Sequence, residues 1–277
     1  KNDFGIDASF LNSKLTLTAD YYISNTTNLL YGKPIPLAAG KYYYDGWVNP
    51  SDPTINGGEI ENRGFEFALN LQEKRGDFTY SVNANLATAK NKVLDLDGRN
   101  VREWGLEVGQ PIYRFFGYTS NGIVKNQAIL DNNPYLTNAG NPFKIGLGDI
   151  WTVDVNGRDT EGKLTGKPDG KINSDDRGFI GKKYPDFTYG LSGNVSYKNW
   201  SFQIVGYGVQ GVDLNTQVDI NGYFQYTSND VIRVLDRWEA TKNPDGNMPK
   251  VTKADLAHNA ESISSFWLSD ASYFKIS

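Results

Sequence analysis

The sequence predicts an all-β fold: a transmembrane antiparallel β-barrel, present in part, with long extracellular loops and one short loop helix. Three observations predict it. Apolar and polar side chains alternate with period two over segments of about ten residues, the length a tilted strand needs to cross the hydrocarbon layer. No stretch approaches the roughly 18 consecutive apolar residues of a membrane helix. Finally, the connections between segments are alternately short and long, the pattern of barrels with tight turns on one side and long loops on the other.

The elements run in chain order. Phe4, Ile6, Ala8 and Phe10 face Gly5, Asp7 and Ser9 in a strand over 2–10. A second strand, within 14–31, sets Leu15, Leu17, Ala19, Tyr21 and Ile23 against Thr16, Thr18, Asp20, Tyr22 and Ser24. A third (58–72) carries Phe65, Phe67, Leu69 and Leu71, and a fourth (77–90) Phe78, Tyr80, Val82, Ala84 and Leu86. A fifth (186–197) carries Phe187, Tyr189, Leu191, Gly193, Val195 and Tyr197, and a sixth occupies 200–212. The polar faces are small and mostly uncharged, as suits a crowded or water-filled lumen, and rings recur at the ends of the apolar rows, where interfacial girdles sit. A soluble, carbohydrate-binding β-sandwich also alternates and is the rival architecture.

Tight turns at 11–14, 73–77 and 198–199 alternate with polar stretches over about 31–57, 88–185 and 213–264. Loops of that length in a compact soluble domain are uncommon unless functional. Strand direction requires an even number of crossings within 91–185, zero or two, with Pro111–Val124 and Gly148–Val155 as candidates. Ser228-Asn229-Asp230 offers capping side chains ahead of Val231, Leu235 and Trp238 at helical spacing, before Asn243-Pro244, so a helix is expected there.

Composition narrows function by exclusion. The 277 residues carry 28 Lys+Arg against 32 Asp+Glu, a net charge of -4 that provides no basic face for nucleic acid. There is no cysteine, hence no disulfide framework and no thiolate metal site. The single histidine, His258, has no nucleophile motif nearby and reads as a solvated loop residue. Carboxylate neighbours such as Glu59 with Glu61 or Asp175 with Asp176 are not placed by any feature at the separation of about 5 Å that a retaining glycosidase needs, so no enzyme is expected. The chain opens at Lys1 without Met or leader and stops within an alternating run, which reads as a piece of a longer protein.

Several segments carry a resemblance in consistent order: Asn2-Asp3-Phe4-Gly5-Ile6-Asp7, Leu17-Thr18-Ala19-Asp20-Tyr21-Tyr22, Thr27-Asn28-Leu29-Leu30, and Gly58-Glu59-Ile60-Glu61-Asn62-Arg63-Gly64-Phe65-Glu66. They continue through Val108-Gly109-Gln110-Pro111-Ile112, Gly148-Asp149-Ile150, Pro185-Asp186-Phe187-Thr188-Tyr189-Gly190, Arg237-Trp238 and Ser269-Asp270-Ala271-Ser272-Tyr273. Together they resemble the SusC/RagA class of TonB-linked outer-membrane transporters. The resemblance implies a 22-stranded plugged barrel, multi-pass in the outer membrane of a Gram-negative bacterium. It imports oligosaccharides or peptides with energy passed through TonB, beneath a SusD-like lipoprotein lid. Residues 1–277 would then be a fragment of the barrel domain, without the plug and the final strands. A passive porin is the rival within the membrane reading, because the wall sequence does not distinguish the two.

The same resemblance places an Asp-x-Asn-Gly-Asp-Gly-x-Ile element after Gly148-Asp149-Ile150. Here it reads Asp154-Val155-Asn156-Gly157, is interrupted by residues 158–168, and resumes at Asp169-Gly170-Lys171-Ile172-Asn173-Ser174-Asp175-Asp176. Spaced side-chain oxygens with Gly at the bend make Asp154, Asn156, Asp169, Asn173 and Asp175 candidate Ca²⁺ ligands. The competing reading is a turn whose carboxylates cap their own backbone. Loop aromatics, chiefly Tyr43, Trp47, Trp104 and Tyr223, are candidates for stacking on cargo; alternatively these rings pack the loops together.

Overall fold

The computed structural model describes residues 1–32, 42–44, 47–49, 54–98, 106–139, 141–216, 232–252, 257, 259 and 263–277, with 31, 32, 42–44 and 47–49 described as backbone only. Two compact units result, one from 1–113, 185–210 and 272–277, the other from 114–184 and 211–271.

In the first unit, seven strands pair in chain order as an antiparallel meander. They are β1 (Asn2–Phe10), β2 (Leu15–Thr27), β3 (Glu59–Arg75), β4 (Phe78–Asp95), β5 (Phe187–Tyr197), β6 (Trp200–Gln210) and β7 (Tyr273–Ile276). The sheet is open, with β1 and β7 at its edges. β5 pairs directly with β4, from Tyr197 opposite Phe78 to Thr188 opposite Ala87. Among the described residues, 96–185 therefore add no strand to the wall, and the even number of crossings is zero.

Register decides what alternation alone leaves open, because a slip of one residue would send each strand's apolar set to the opposite face. Here the rows coincide. Phe10 faces Leu15, which faces Leu71, then Val82, Gly193 and Ile204. Ala8, Leu17, Leu69, Ala84, Leu191, Gly206 and Ile276 form the next rung. The six long strands thus share one apolar face, while β6 also carries Val205, Tyr207 and Val209 on the other. The opposite face is knitted by polar pairs: the Asn70 amide donates to Asn83 Oδ1, Asn83 donates to Ser192 Oγ (3.2 Å), and Thr18 donates to Asp7 (2.6 Å). Tight turns close β1–β2, β3–β4 and β5–β6. Left-handed backbone makes these reversals, at Leu11, Asn12 and Ser13 in the first, Gly76 in the second and Lys198 in the third.

The second unit is a separately packed module of short pieces. Arg114–Gly117 pairs with Gly178–Lys182, Ser120–Ile123 with Ile150–Thr152, and Asp213–Asn215 with Leu268–Asp270. Both candidate crossings are thus spent here, Ser120–Ile123 coming from one and Ile150–Thr152 from the other. Helix α1 (Gln127–Asn132) begins where Asn126 Oδ1 accepts the Ile129 N–H at 3.1 Å. Two apolar clusters fill the module. One gathers Ile123, Ile150, Val234, Trp238, Met248 and Trp267; the other Tyr118, Val124, Leu136, Phe143, Ile145 and Ile172.

The expected helix after Ser228 is corrected in part. Its capping residues and Val231 lie outside the described residues, and beyond them the chain makes a 3₁₀ turn over Ile232–Asp236. Val234 and Trp238 are buried while Leu235 is 73% exposed, so the buried row differs from the one that helical spacing selects. The cause is strand-like pairing: Trp238 N–H donates to the Met248 carbonyl and Met248 N–H to that of Asp236, drawing the chain out of helical geometry.

Candidate functional site

The outward apolar face is the larger of two functional features. Its side chains are not covered by a second layer: Phe4 is 65% exposed, Ile6 71%, Phe202 66% and Trp200 81%. So much contiguous apolar surface is not tolerated in water and marks a lipid or partner contact. The band has ends. On β3 and β4 it runs from Phe65 to Leu71 and from Phe78 to Leu86, and beyond Phe65 the same face carries Arg63 opposite Lys90. At the turn end it carries Glu73, held by Lys14 Nζ (3.1 Å), Arg75 Nε (2.8 Å) and the Tyr80 hydroxyl (2.7 Å). Rings cluster at both limits, with Phe78, Tyr197 and Trp200 near the tight turns and Tyr189 stacked on Phe274 (5.8 Å between centroids) near the other end. Apolar rungs bounded by rings and then charges are the anatomy of a membrane-spanning wall.

The second feature is the Asp-rich loop of the module. Its oxygens are engaged by the chain itself. Asp154 accepts from the backbone N–H groups of Asp169 (3.2 Å) and Gly170 (2.7 Å), and Asp169 from that of Lys171 (3.0 Å). Asn156 Oδ1 accepts from Gly166 N–H at 2.7 Å, and Asn173 Oδ1 accepts from Asp175 N–H at 2.7 Å. The Asp175 carboxylate lies against the Arg158 guanidinium in a bidentate pair of 2.8 and 2.6 Å. Among the described residues no three His, Cys, Asp or Glu side chains gather as metal ligands. The five candidates therefore lie along one loop but point their oxygens at N–H groups and an arginine, in the geometry of a self-capped turn. Interruption by 158–168 is accommodated within it, through Arg158 and the Gly166 amide.

The centre of this loop is Asp176, which was absent from the candidate ligands. It is buried, and its carboxylate accepts from the N–H groups of Val155 (2.9 Å), Asn156 (3.0 Å) and Asn173 (2.9 Å). With Asn173 it forms a capping box on the short turn Ser174–Asp176. Burial raises its carboxyl above the ordinary range, against the pull of those three donors. A second buried aspartate, Asp149, performs the same office elsewhere in the module. It accepts from Gly146 N–H (2.8 Å), Lys250 Nζ (2.9 Å) and the Asn259 amide (2.9 Å). Asn259 in turn caps Ile150 N–H (2.8 Å) and accepts at its carbonyl from Trp267 Nε1 (2.8 Å). The Asx/Gly density around 146–176 was the only local signal of these hubs.

Of the aromatic candidates, Tyr43 and Trp47 lie on a backbone hairpin in which Tyr42–Tyr44 pairs with Trp47–Asn49. Trp104, Tyr223 and His258 lie outside the described residues. Trp151 packs within the module, donating its indole N–H to Tyr135 Oη at 3.0 Å.

An open antiparallel sheet with one lipid-compatible face and one polar face, joined by tight turns, defines a segment of a transmembrane β-barrel. The chain is related to the TonB-dependent receptors of the SusC/RagA class, as its sequence segments suggest. TonB-dependent receptor P26 of Formosa agariphila is 28% identical over 263 residues, which cover 90% of this chain and 24% of that receptor. TonB-dependent receptor SusC of Bacteroides thetaiotaomicron is 28% identical over 208 residues, covering 72% and 18%. The chain thus spans a quarter or less of the curated relatives it matches. A solved structure of the RagAB peptide transporter superimposes with a TM-score of 0.68 at 20% identity, covering 99% of this chain and 27% of that one, which establishes the fold. No family model matches.

Proposed function

We propose that the protein containing this chain is an outer-membrane importer of oligosaccharides or peptides, energised through TonB and working beneath a SusD-like surface lipoprotein. In this reading the seven-stranded sheet is barrel wall, and the 114–184 and 211–271 module is an extracellular loop assembly. One observation carries the membrane part: the exposed apolar rungs run in register across the strands and end in rings and charges. A soluble β-sandwich would bury those rungs between two sheets. The active, TonB-linked part rests on the named relatives, which are TonB-dependent receptors.

The passive porin is the reading to separate. Cells carrying the full-length gene are offered labelled oligosaccharide and oligopeptide mixtures, with TonB intact and with TonB deleted. Uptake of one class that stops without TonB is expected. Uptake that continues unchanged identifies a porin.

A further inference from the structure

At the tight-turn end of the wall, one cross-strand row reads Arg75, Phe78, Tyr197, Trp200 over β3 to β6. All four lie on the apolar face. The adjoining turns are tied together by Lys198 N–H donating to the Asp77 carbonyl (3.3 Å), and Lys198 Nζ lies 5.3 Å from the centroid of the Tyr197 ring, on that same face. One cation thus ends the row of three rings, and a second lies over its middle ring. We propose that this rim is a binding site for an anionic glycerophospholipid, its phosphate held between Arg75 and Lys198 and its acyl chains lying along the rungs beyond the rings. The inference rests on the membrane reading above and adds lipid selectivity to it.

The charge arrangement points to an anionic headgroup rather than to bilayer in general. The one carboxylate on this stretch of the face, Glu73, is already clamped by Lys14, Arg75 Nε and Tyr80 Oη. Arg75 gives Glu73 its Nε hydrogen and keeps its side chain 76% exposed, so the terminal nitrogens remain presented outward. Guanidinium forks match phosphate geometry, and a neighbouring ammonium adds charge. Amphipathic rings at this depth seat the glycerol region, where one end is apolar and the other wet. Acyl chains then continue over the Tyr80, Val195 and Phe202 rung.

The test uses the full-length protein in detergent. Thermal midpoints are measured with added phosphatidylglycerol or phosphatidylcholine of the same acyl chains, for wild type and for the double variant Arg75→Gln, Lys198→Asn. Asparagine tolerates the left-handed backbone at 198. Native mass spectra count retained lipid. Wild type should retain phosphatidylglycerol several-fold over phosphatidylcholine and be stabilised more by it, while the variant loses that preference but keeps its midpoint in phosphatidylcholine. Equal retention of the two lipids by wild type, or an unchanged preference in the variant, overturns the site. Should the double variant not fold, Lys198→Asn alone decides, by losing part of the preference or none. A wild-type protein that remains soluble without detergent instead sinks the membrane reading.

Discussion

The Tyr189 ring lies across Gly208, its in-register partner on the neighbouring strand, and stacks on Phe274 one strand further. A Cβ at 208 would sit 2.4 Å from Tyr189 Cζ. A glycine in mid-strand normally weakens a sheet; here it is the floor on which a girdle ring lies flat. Gly206 is the same device under Phe274. Gly208→Ala should therefore displace Tyr189 and destabilise the wall by about 1–3 kcal/mol, the usual cost of overpacking. The heat needed to shift the full-length protein from its folded to its unfolded gel mobility reads this out. An unchanged transition would mean that the ring is free to lift away.

Asp149 should be the most sensitive position of the loop module. Removing its carboxylate in Asp149→Ala takes one partner from the part-exposed Lys250 ammonium, which keeps the Leu147 carbonyl, and leaves Gly146 N–H and the Asn259 amide without their acceptor. Leaving a buried donor such as the Asn259 amide unsatisfied costs about 1–3 kcal/mol. The expected outcome is faster proteolysis within 114–184 and 211–271 with the wall still resistant. Equal resistance of variant and wild type would remove Asp149 from its role as hub.

Asp176 yields a pH prediction whose sign is set by burial. Its folded carboxyl is raised above the unfolded value of about 3.9, so its contribution to stability is fully present below that value and is lost as pH rises through the folded one. Mild acidification should accordingly preserve or increase hydrogen-exchange protection, corrected for intrinsic rates, at the amides of 155, 156 and 173. Asp176→Asn abolishes this pH dependence and costs about 1–3 kcal/mol, because its amide would meet the Asn173 N–H donor to donor. Protection that collapses on acidification would reverse the sign.

By contrast, the Arg158–Asp175 pair is half in solvent and should matter little. Arg158→Ala is expected to leave the melting of the module essentially unchanged, because water screens an exposed ion pair and the long side chain loses rotamer freedom to hold it. Because the loop's oxygens are already engaged by N–H groups, neither millimolar Ca²⁺ nor a chelator should shift that melting. A calcium-dependent rise of several degrees would instead support the cation reading of Asp154, Asn156, Asp169, Asn173 and Asp175.

These contrasts explain what was legible in the sequence. The six long strands could be read because period two is local: Leu15 and Leu17 report their common face without knowledge of any partner. Register was partly legible too, since the tight turns at 11–14, 73–77 and 198–199 limit the offset between neighbours. The module was not. Asp149 acquires its meaning from Lys250 and Asn259, about a hundred residues away, and Asp176 from Val155 across an interruption. The turn at Ile232–Asp236 misled because Val231, Leu235 and Trp238 satisfy helical spacing, while Met248, invisible to that pattern, supplies the pairing that ends the turn.

The two faces of β5 provide the sharpest comparison, because adjacent residues there should behave oppositely. Leu191 lies on the outward face between Ala84 and Gly206, at the middle of the apolar rungs. Ser192 lies on the other face between Asn83 and Val205, within hydrogen-bond reach of the Asn83 amide. In hydrocarbon an arginine near mid-depth costs about 2–4 kcal/mol, whereas a lumen position can hydrate the same charge. Leu191→Arg should thus lower the folded fraction of full-length protein in bilayers several-fold, and Ser192→Arg much less. Both variants place the same side chain at adjacent positions of one strand, and Ser192→Arg adds the more bulk, so a larger loss for Leu191→Arg reports the identity of the solvent. Equal losses for the pair would mean that lipid does not meet the Leu191 face, and the wall assignment would fall.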